Sequence, residues 1–201
     1  MAAEPVTGLG LGYEPAEKGD RRTRRDRPGI GVRIVRDARM TPDGSTTLHG
    51  TLTRLVPTTE ADLDLLAGWF ASPDFVAYWG GVPLSRTEVA AKYVGRRRPR
   101  VQSYLVLAEG TPVGYAQFWY ADEAEGGIDL VLQPDAQGRG LGPDATRALL
   151  AHLGGELGWR RVTVDPVREN VRAVRAWEKA GFRQVTSGPG ELLMEFRFPS
   201  S

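Results

Sequence analysis

The sequence contains no cysteine, and this absence removes several kinds of chemistry. Without thiols the chain can form no disulfide, no cysteine nucleophile and no thiolate metal site. It also has only two histidines, His49 and His152, which lie far apart in sequence. Metal sites that use nitrogen and sulfur ligands need such side chains in clusters. We therefore predict a protein that works without a metal.

Long apolar runs and an excess of one charge are also missing. No run of roughly 18 apolar residues is present, so no membrane-spanning helix is predicted. The first part of the chain lacks a continuous apolar stretch, which argues against a secretory signal. The 26 basic and 25 acidic residues leave a formal net charge of +1, too small to attract nucleic acid or membranes. We expect a cytoplasmic monomer or homodimer that binds neither.

Composition divides the chain near residue 47. Residues 1–47 are rich in Gly, Pro, Arg and Asp, and they can bury too little apolar surface to offset the entropy of ordering. We predict a disordered N-terminal extension followed by one folded domain over 48–198. The alternatives are a basic segment that touches an anionic partner, translation that starts at Met40, and an added edge strand near 29–35.

The order of predicted elements gives the fold class. Capping residues predict helices that begin after Thr59, Ser72 and Ser85, the last of them running to about Arg97. Further helices are predicted at 143–157 and 170–180, and strands at 48–56, 101–108, 113–120, 127–132, 161–164 and 192–198. Strands and helices in this order predict an α/β or α+β architecture.

A glycine-rich segment, residues 132–143, connects a predicted strand to a predicted helix. Its glycines allow the backbone to turn closely around a ligand, and the start of the helix offers free N–H groups and a positive dipole end to a phosphate. The spacing Gly138-x-Gly140-x-Gly142 differs from the dinucleotide fingerprint, and the Lys-Ser/Thr of a phosphate loop is absent. An anion site and a purely structural turn both remain open.

Two segments together resemble the GCN5-related N-acetyltransferase (GNAT) family. Residues 137–142, Gln-Gly-Arg-Gly-Leu-Gly, resemble its Gln/Arg-x-x-Gly-x-Gly/Ala motif, and residues 170–182 are similar to its Asn-x-x-Ala-x-x-x-Tyr-x-Lys-x-Gly-Phe helix. The resemblance implies an α/β (α+β) GNAT fold with a mixed central sheet of about 6–7 strands flanked by helices. It also implies acetyl-CoA as co-substrate. The residues implied to bind it are Leu130, Val131, Leu132, Gln137, Gly138, Arg139, Gly140, Leu141, Gly142, Asn170, Ala173 and Trp177.

Three further segments, residues 78–81, 114–117 and 127–129, are similar to the aminoglycoside 6′-N-acetyltransferases. This similarity implies acetyl transfer to a primary amine of a small molecule, with the 6′-amine of an aminoglycoside, and hence antibiotic resistance, as the leading expectation. The alternatives are an N-acyltransferase acting on a protein N-terminus, a lysine or a siderophore-type amine, and a coenzyme A-binding module without activity.

Asp129 is the predicted catalytic base. Strand alternation places Ile128, Leu130 and Leu132 on one face, and Asp129 with Val131 on the other. An acid within an apolar strand is costly unless it is paired or used, and an ammonium substrate needs a base to accept its proton. The resemblance places the proton-accepting aspartate at this position, acting directly or through a water, and implies a backbone N–H of residues 130–132 as the oxyanion donor. A structural or exposed acid is the alternative.

Trp177 departs from the family pattern, which commonly has a tyrosine able to protonate the leaving thiolate. Tryptophan has an indole N–H but cannot act as an acid near neutral pH. Solvent or another group must then supply the proton, and we expect Trp177 to pack against the coenzyme or the core.

The acceptor site combines opposing signals. Gln117 and Trp119 share a strand face, while Trp79 is either a second wall of the pocket or part of the core. An acidic loop at 122–125 suits a polycationic acceptor. A basic segment at 96–100 does not, unless its arginines face solvent, the helix end or the 3′-phosphate of the coenzyme. The predicted substrate-binding residues are Trp79, Gln117, Trp119, Asp129 and Asp165.

Overall fold

A computed structural model describes residues 46–185 and 192–199 as one eight-stranded sheet flanked by helices. The strands are β1 Leu48–His49, β2 Thr53–Pro57, β3 Val101–Ala108, β4 Thr111–Tyr120, β5 Glu125–Leu132, β6 Arg161–Val164, β7 Arg183–Val185 and β8 Leu193–Arg197. The helices are α1 Leu63–Phe70, α2 Pro73–Val76, α3 Arg86–Lys92, α4 Leu141–Gly155 and α5 Val171–Lys179. The predicted extension over 1–47, with its basic run and edge strand, lies almost wholly outside the described residues.

The predicted fold class is confirmed, although the sheet has more strands than expected. Its order is β1-β2-β3-β4-β5-β6-β8-β7. The single strand predicted at 48–56 is in fact two strands that pair with each other across a turn at Gly50. The short strand β7 was not predicted, because three residues are too few for a periodic pattern to be visible.

The sheet is antiparallel except at one junction. Only β5 and β6 run parallel, and their pairing covers Glu125–Gly127 opposite Arg161–Thr163. β5 continues to Leu132. Within the described part of the chain, residues 128–132 therefore pair with β4 along one edge and have no strand partner along the other. Backbone N–H and C=O groups along that free edge need other partners, which a bound ligand can supply.

Two hydrophobic clusters cover the two faces of the sheet. The first lies under α4 and α5 and includes Leu149, Leu153 and Ile128, with Leu130 and Leu132 packed against it. The second lies under α1, α2 and α3 and is aromatic-rich. Val131 packs on the second cluster, opposite to Leu130 and Leu132, which confirms the predicted alternation along β5.

The helix predicted from Ser85 is confirmed at its start and wrong at its end. The Ser85 backbone N–H donates to Glu88 Oε2 at 2.8 Å, and the Glu88 N–H donates to Ser85 Oγ at 3.3 Å, which forms the expected capping box. The helix ends at Lys92 rather than near Arg97. Tyr93, at φ −121°, is already outside the helical region, and Gly95, at φ +83°, takes a left-handed conformation that keeps the helix from resuming.

Asp144 fastens the start of α4 to the turn between β1 and β2. Its carboxylate accepts hydrogen bonds from the backbone N–H groups of Thr51, Leu52 and Thr53 and from the Thr53 hydroxyl, at 2.8–3.1 Å. Burial alone raises the pKa of Asp144, but the hydrogen bonds from residues 51–53 outweigh it and hold the pKa below the usual aspartate value. The carboxylate is therefore ionised in the folded protein near neutral pH.

Candidate active site

A row of polar side chains crosses the middle of the sheet. Ser103 on β3 lies opposite Gln117 on β4, and Gln117 lies opposite Asp129 on β5. Side chains at paired positions share one face of a sheet, and Tyr115, two residues before Gln117, shares that face too. The face is the one covered by α1, α2 and α3.

Hydrogen bonds connect the whole row. Gln117 Nε2 donates to Asp129 Oδ2 at 2.8 Å. The Tyr115 hydroxyl oxygen lies 2.9 Å from Gln117 Oε1 and 2.8 Å from Ser103 Oγ. Ser103, Tyr115 and Gln117 are buried, whereas Asp129 at the end of the row keeps partial exposure. Asp129 is thus the least buried member of the row.

Asp129 is held in a setting that favours proton transfer. Burial raises the pKa of its carboxyl, while the hydrogen bond from Gln117, the positive charge of Arg97 and a hydrogen bond from the Trp119 side chain lower it, and the net effect is a raised pKa. A carboxylate with a raised pKa accepts a proton more readily. The geometry fits the base predicted at this position, and that role stays a prediction.

Trp119 lies beside Asp129 because the neighbouring strand has a glycine. Gly127 is the register partner of Trp119, and a Cβ atom added at Gly127 would lie within 2.4–2.8 Å of the indole ring. Only glycine lets the ring lie flat across β5 at this point. Trp119 is half-buried, so part of the indole remains available to a ligand.

Trp79 is held by an aromatic cluster around Tyr115. Its ring contacts Phe70 and Tyr115 at centroid distances of 5.9 and 5.7 Å, and its Nε1 donates to the Tyr93 hydroxyl at 3.1 Å. The same ring is only partly buried. Trp79 therefore packs on the core, and its role as a second wall of the acceptor pocket stays a prediction.

The glycine segment has the expected backbone geometry. Gly138 and Gly140 have φ of +78° and +79°, and Gly140 is the residue that precedes the first turn of α4. Gly142 lies 3.8 Å, measured from a Cβ built on it, from the side chains of Leu130 and Leu132. The first N–H groups of any helix have no partner within the helix. This segment thus presents free donors next to the unpaired edge of β5.

Gln137 and Arg139 have different surroundings. Gln137 Nε2 donates to the Leu132 carbonyl at 3.0 Å, and Arg172 Nη1 donates to Gln137 Oε1 at 2.6 Å. The Gln137 side chain thereby ties the glycine segment to β5 and α5. Arg139 is exposed and borders a cleft of about 550 Å³ that Leu65, Trp69 and residues 108–113 also line. Asp129 is not part of that cleft.

The predicted residues around α5 carry structural contacts. Asn170 caps the helix, because its Oδ1 accepts from the Ala173 N–H at 3.1 Å. Trp177 is 8% exposed and packs edge-on against Phe182 at 5.3 Å. Ala173 is half-buried against the first cluster, and Asp165 is exposed. The predicted ligand contacts of these four residues stay predictions.

The arginines of the basic segment have separate roles. Arg96 forms a two-pronged contact with Glu60 at 2.6 and 2.9 Å, and Arg98 Nη2 donates to the Thr58 carbonyl at 2.7 Å. The charge of Arg97, in contrast, acts on Asp129, Tyr93 and Tyr115. On the opposite side, Glu125 of the predicted acidic loop contacts Arg161 at 3.3 Å. The site is therefore less acidic than the loop composition predicted.

The sequence did not identify Ser103 as a member of the polar row, and it left open which arginine of residues 96–100 acts on Asp129. The alternation Tyr115, Gln117, Trp119 is visible in the sequence, but the residues opposite them depend on register between strands. A bulge at Val106/Leu107 shifts the register between β3 and β4. No local pattern announces that shift.

Two kinds of feature are absent from residues 46–185 and 192–199, the part of the chain that the structure describes. No helix there combines the length and the apolarity that crossing a bilayer requires. In the same ranges, no three His, Cys, Asp or Glu side chains come together in a group suited to a metal ion.

Comparisons with known proteins identify the family of this chain. The sequence model of an acetyltransferase (GNAT) domain matches residues 53–183. An aminoglycoside N(6′)-acetyltransferase type 1 from Klebsiella pneumoniae is 33% identical over 161 residues, covering 69% of this chain and 80% of that protein.

Solved structures of aminoglycoside acetyltransferases also resemble this chain. The aminoglycoside acetyltransferase AAC(6′)-Ib in complex with paromomycin and acetyl-CoA superposes with a TM-score of 0.64 at 29% identity, over 73% of this chain and 93% of that chain. Its complex with coenzyme A and kanamycin gives 0.63 at 28% identity, over 72% and 94%. The glycine segment, the carboxylate on β5 and these matches together show that the chain belongs to the GNAT family of acetyltransferases.

Proposed function

We propose that this protein transfers the acetyl group of acetyl-CoA to the 6′-amine of an aminoglycoside, an activity that would confer antibiotic resistance. The observation that carries the proposal is the Asp129 carboxylate, which Gln117 holds at 2.8 Å on the strand that leads into the glycine segment. The relatives and solved structures that support the acceptor are aminoglycoside 6′-acetyltransferases.

The coenzyme side of the site uses backbone more than side chains. The N–H groups around Gly138, Gly140 and Leu141, at the positive end of α4, suit the pyrophosphate of acetyl-CoA, and exposed Arg139 adds a cation. The free edge of residues 130–132 suits the pantetheine arm, which carries amide groups of its own. Together these features support a bound coenzyme whose thioester end lies beside Asp129.

The reaction removes two protons from the ammonium nitrogen, the first before the attack and the second, released to solvent, from the tetrahedral intermediate, and it supplies one proton to the leaving sulfur. An aminoglycoside amine is an ammonium ion at neutral pH, so Asp129 accepts a proton before the nitrogen attacks the thioester carbonyl. A backbone N–H of residues 130–132 stabilises the oxyanion, after which the C–S bond breaks and the thiolate leaves. Trp177 is buried against Phe182 and has no acidic proton, so solvent is the proposed proton source for the thiolate.

One observation favours a second class of acceptor. The charge of Arg97 acts on Asp129, and a cation at this position repels a polycationic substrate. The alternative is therefore an acyltransferase for a less cationic amine, such as a protein N-terminus, a lysine or a siderophore-type amine. Action in the cytoplasm, as a monomer or homodimer without nucleic acid, remains predicted for both alternatives.

An acceptor screen with the full chain separates these alternatives. Thiol release from acetyl-CoA is measured with kanamycin, with lysine derivatives, and with the pair neomycin and paromomycin, which differ in having an amine or a hydroxyl at the 6′ position. We expect turnover with kanamycin and neomycin and much less with paromomycin. Turnover of a lysine derivative alone would replace the acceptor but keep the chemistry. Calorimetry that detects no acetyl-CoA binding to folded protein would overturn the proposal.

A further inference from the structure

We propose that Tyr115 is a positioning residue for acetyl transfer: its buried hydroxyl locks the Gln117 amide in the one orientation that presents Nε2 to Asp129. The proposal rests on the function proposed above, in which Asp129 takes the proton of the amine. Tyr115 is fully buried and its hydroxyl lies between Ser103 and Gln117, so it acts on Asp129 through Gln117.

The direction of each hydrogen bond follows from which atoms can donate. Gln117 Oε1 can only accept, so the Tyr115 hydroxyl, 2.9 Å away, must give its proton to it. The single proton of Tyr115 is then used, and the Ser103 hydroxyl, 2.8 Å away, donates to the tyrosine oxygen. Every proton in the row thus points toward Asp129.

The reverse orientation of the Gln117 amide is unfavourable at the Asp129 end. A flipped amide would place Oε1 against Asp129 Oδ2, where two acceptors would face each other at the 2.8 Å now spanned by a hydrogen bond. Asp129 therefore selects the donating orientation, and the Tyr115 hydroxyl, by donating to Oε1 at the other end, holds the amide in it.

Ring packing makes the tyrosine a rigid reference point. Tyr115 is 0% exposed, and its ring meets Phe70, Trp79 and Tyr93 edge-on at centroid distances of 5.6, 5.7 and 5.2 Å. Such a ring cannot move without displacing its neighbours, because protein interiors are close-packed. The position of the hydroxyl, and hence the Gln117 amide, is fixed by the aromatic cluster.

The electrostatic consequence is measurable at Asp129. Burial raises the pKa of Asp129, and the hydrogen bond from Gln117 is the largest effect that lowers it, ahead of Arg97 and Trp119. The other titratable groups whose charges couple to Asp129 are Tyr93 and Tyr115, and burial raises the pKa of both, so they stay neutral through the working range. A Gln117 amide that is free to rotate should therefore let the pKa of Asp129 rise further.

The test is Tyr115→Phe, which removes the hydroxyl and keeps the ring. The matched control is Tyr104→Phe, because Tyr104 is also buried in the sheet, at 1% exposure, but belongs to the opposite cluster with its ring stacked on Phe118. We expect Tyr115→Phe to lower kcat about tenfold and to move the acid limb of the kcat/KM profile up by about one pH unit. Tyr104→Phe should change neither.

A second readout does not depend on the acceptor. Carboxyl-carbon NMR of ¹³C-aspartate protein follows the titration of Asp129 directly, with Asp129→Asn identifying the signal. An upward shift in Tyr115→Phe alone supports the proposal, and an unchanged titration overturns it. Equal shifts in Tyr115→Phe and Tyr104→Phe overturn it as well, because they would reflect the loss of any buried hydroxyl.

Two further measurements separate the role of Tyr115 from a failure to fold and from the choice of acceptor. If Tyr115→Phe fails to fold, Ser103→Ala replaces it: Gln117 Oε1 is then the remaining neighbour in the row that can accept the Tyr115 proton, so the titration of Asp129 should stay in place or move down, and an upward shift would overturn the proposal. A wild-type protein that is inert on every aminoglycoside would refute the proposed acceptor only, while the NMR titration would still decide the role of Tyr115.

Discussion

At the scale of single residues, Asp129 carries the proposed chemistry and gives the first prediction. Asp129→Asn keeps the side-chain shape and removes the proton acceptor, so kcat should fall by ~10²-fold or more. Acetyl-CoA affinity, measured by calorimetry, should stay near the wild-type value, because the glycine segment is separate from the carboxylate. Near-normal turnover in a steady-state assay would remove Asp129 from the mechanism.

Arg97 sets the charge of the acceptor side, and a neutral replacement should change which amines are accepted. Arg97→Gln removes the cation that acts on Asp129, so KM for a polycationic aminoglycoside should fall several-fold, while the acid limb of the pH profile should move to higher pH. The matched control is Arg96→Gln, because Arg96 is bound to Glu60. An unchanged KM in Arg97→Gln would show that the guanidinium does not face the acceptor.

At the scale of elements, the junction between the glycine segment and α4 depends on the left-handed backbone conformation of Gly140, which a side chain would strain. Gly140 has φ of +79°, and Gly140→Ala should cost about 1 kcal/mol in stability and weaken acetyl-CoA binding, because the N–H groups of the turn would shift. Gly155→Ala, at the end of the same helix with open space around it, is the control. Calorimetry and thermal melts compare the two variants, and equal coenzyme affinities would argue against the turn as the anion site.

The clamp between Asp144 and the β1–β2 turn gives a prediction about stability. Asp144→Asn should reduce the free energy of unfolding at pH 7 by about 2–3 kcal/mol, because one carboxylate accepts from three backbone N–H groups and a hydroxyl. The pKa of Asp144 is depressed in the folded state. Its stabilisation is therefore complete above the unfolded pKa and is lost as the pH falls through the folded pKa.

Urea unfolding at pH 7 and at pH 3 checks this dependence. The difference between wild type and Asp144→Asn should be smaller at pH 3. Asp135→Asn, at an exposed aspartate in the turn before Gln137, should leave the free energy of unfolding unchanged. If Asp144→Asn lowers the free energy of unfolding by the same amount at both pH values, the charge of Asp144 contributes nothing to stability.

The helix-to-strand connection before β3 shows where element prediction failed. The sequence predicts α3 through Arg97, which would line up the arginines on helical turns. Tyr93 leaves the helical conformation instead, and Gly95 follows with a positive φ, so Arg96 and Arg98 bind different partners in a loop while the charge of Arg97 acts on Asp129. The capping pattern at Ser85 could not reveal this break.

At the scale of the whole molecule, local patterns in the sequence determined most elements and the family. The bounds predicted for β3 and β6 are confirmed, as is the helix cap at Ser85. The glycine segment and the segment around α5 identified the GNAT family before any coordinates, because their functions depend on residues that are adjacent in sequence.

Tertiary structure alone decided how the site is assembled. Ser103, Gln117 and Asp129 become neighbours only through the registers of β3, β4 and β5, and Asp144 reaches residues more than 90 positions away. Register and long-range contacts follow from packing the two faces of the sheet, including the bulge between β3 and β4. Periodicity in a sequence shows which face a side chain occupies, whereas only the packed sheet shows what lies next to it.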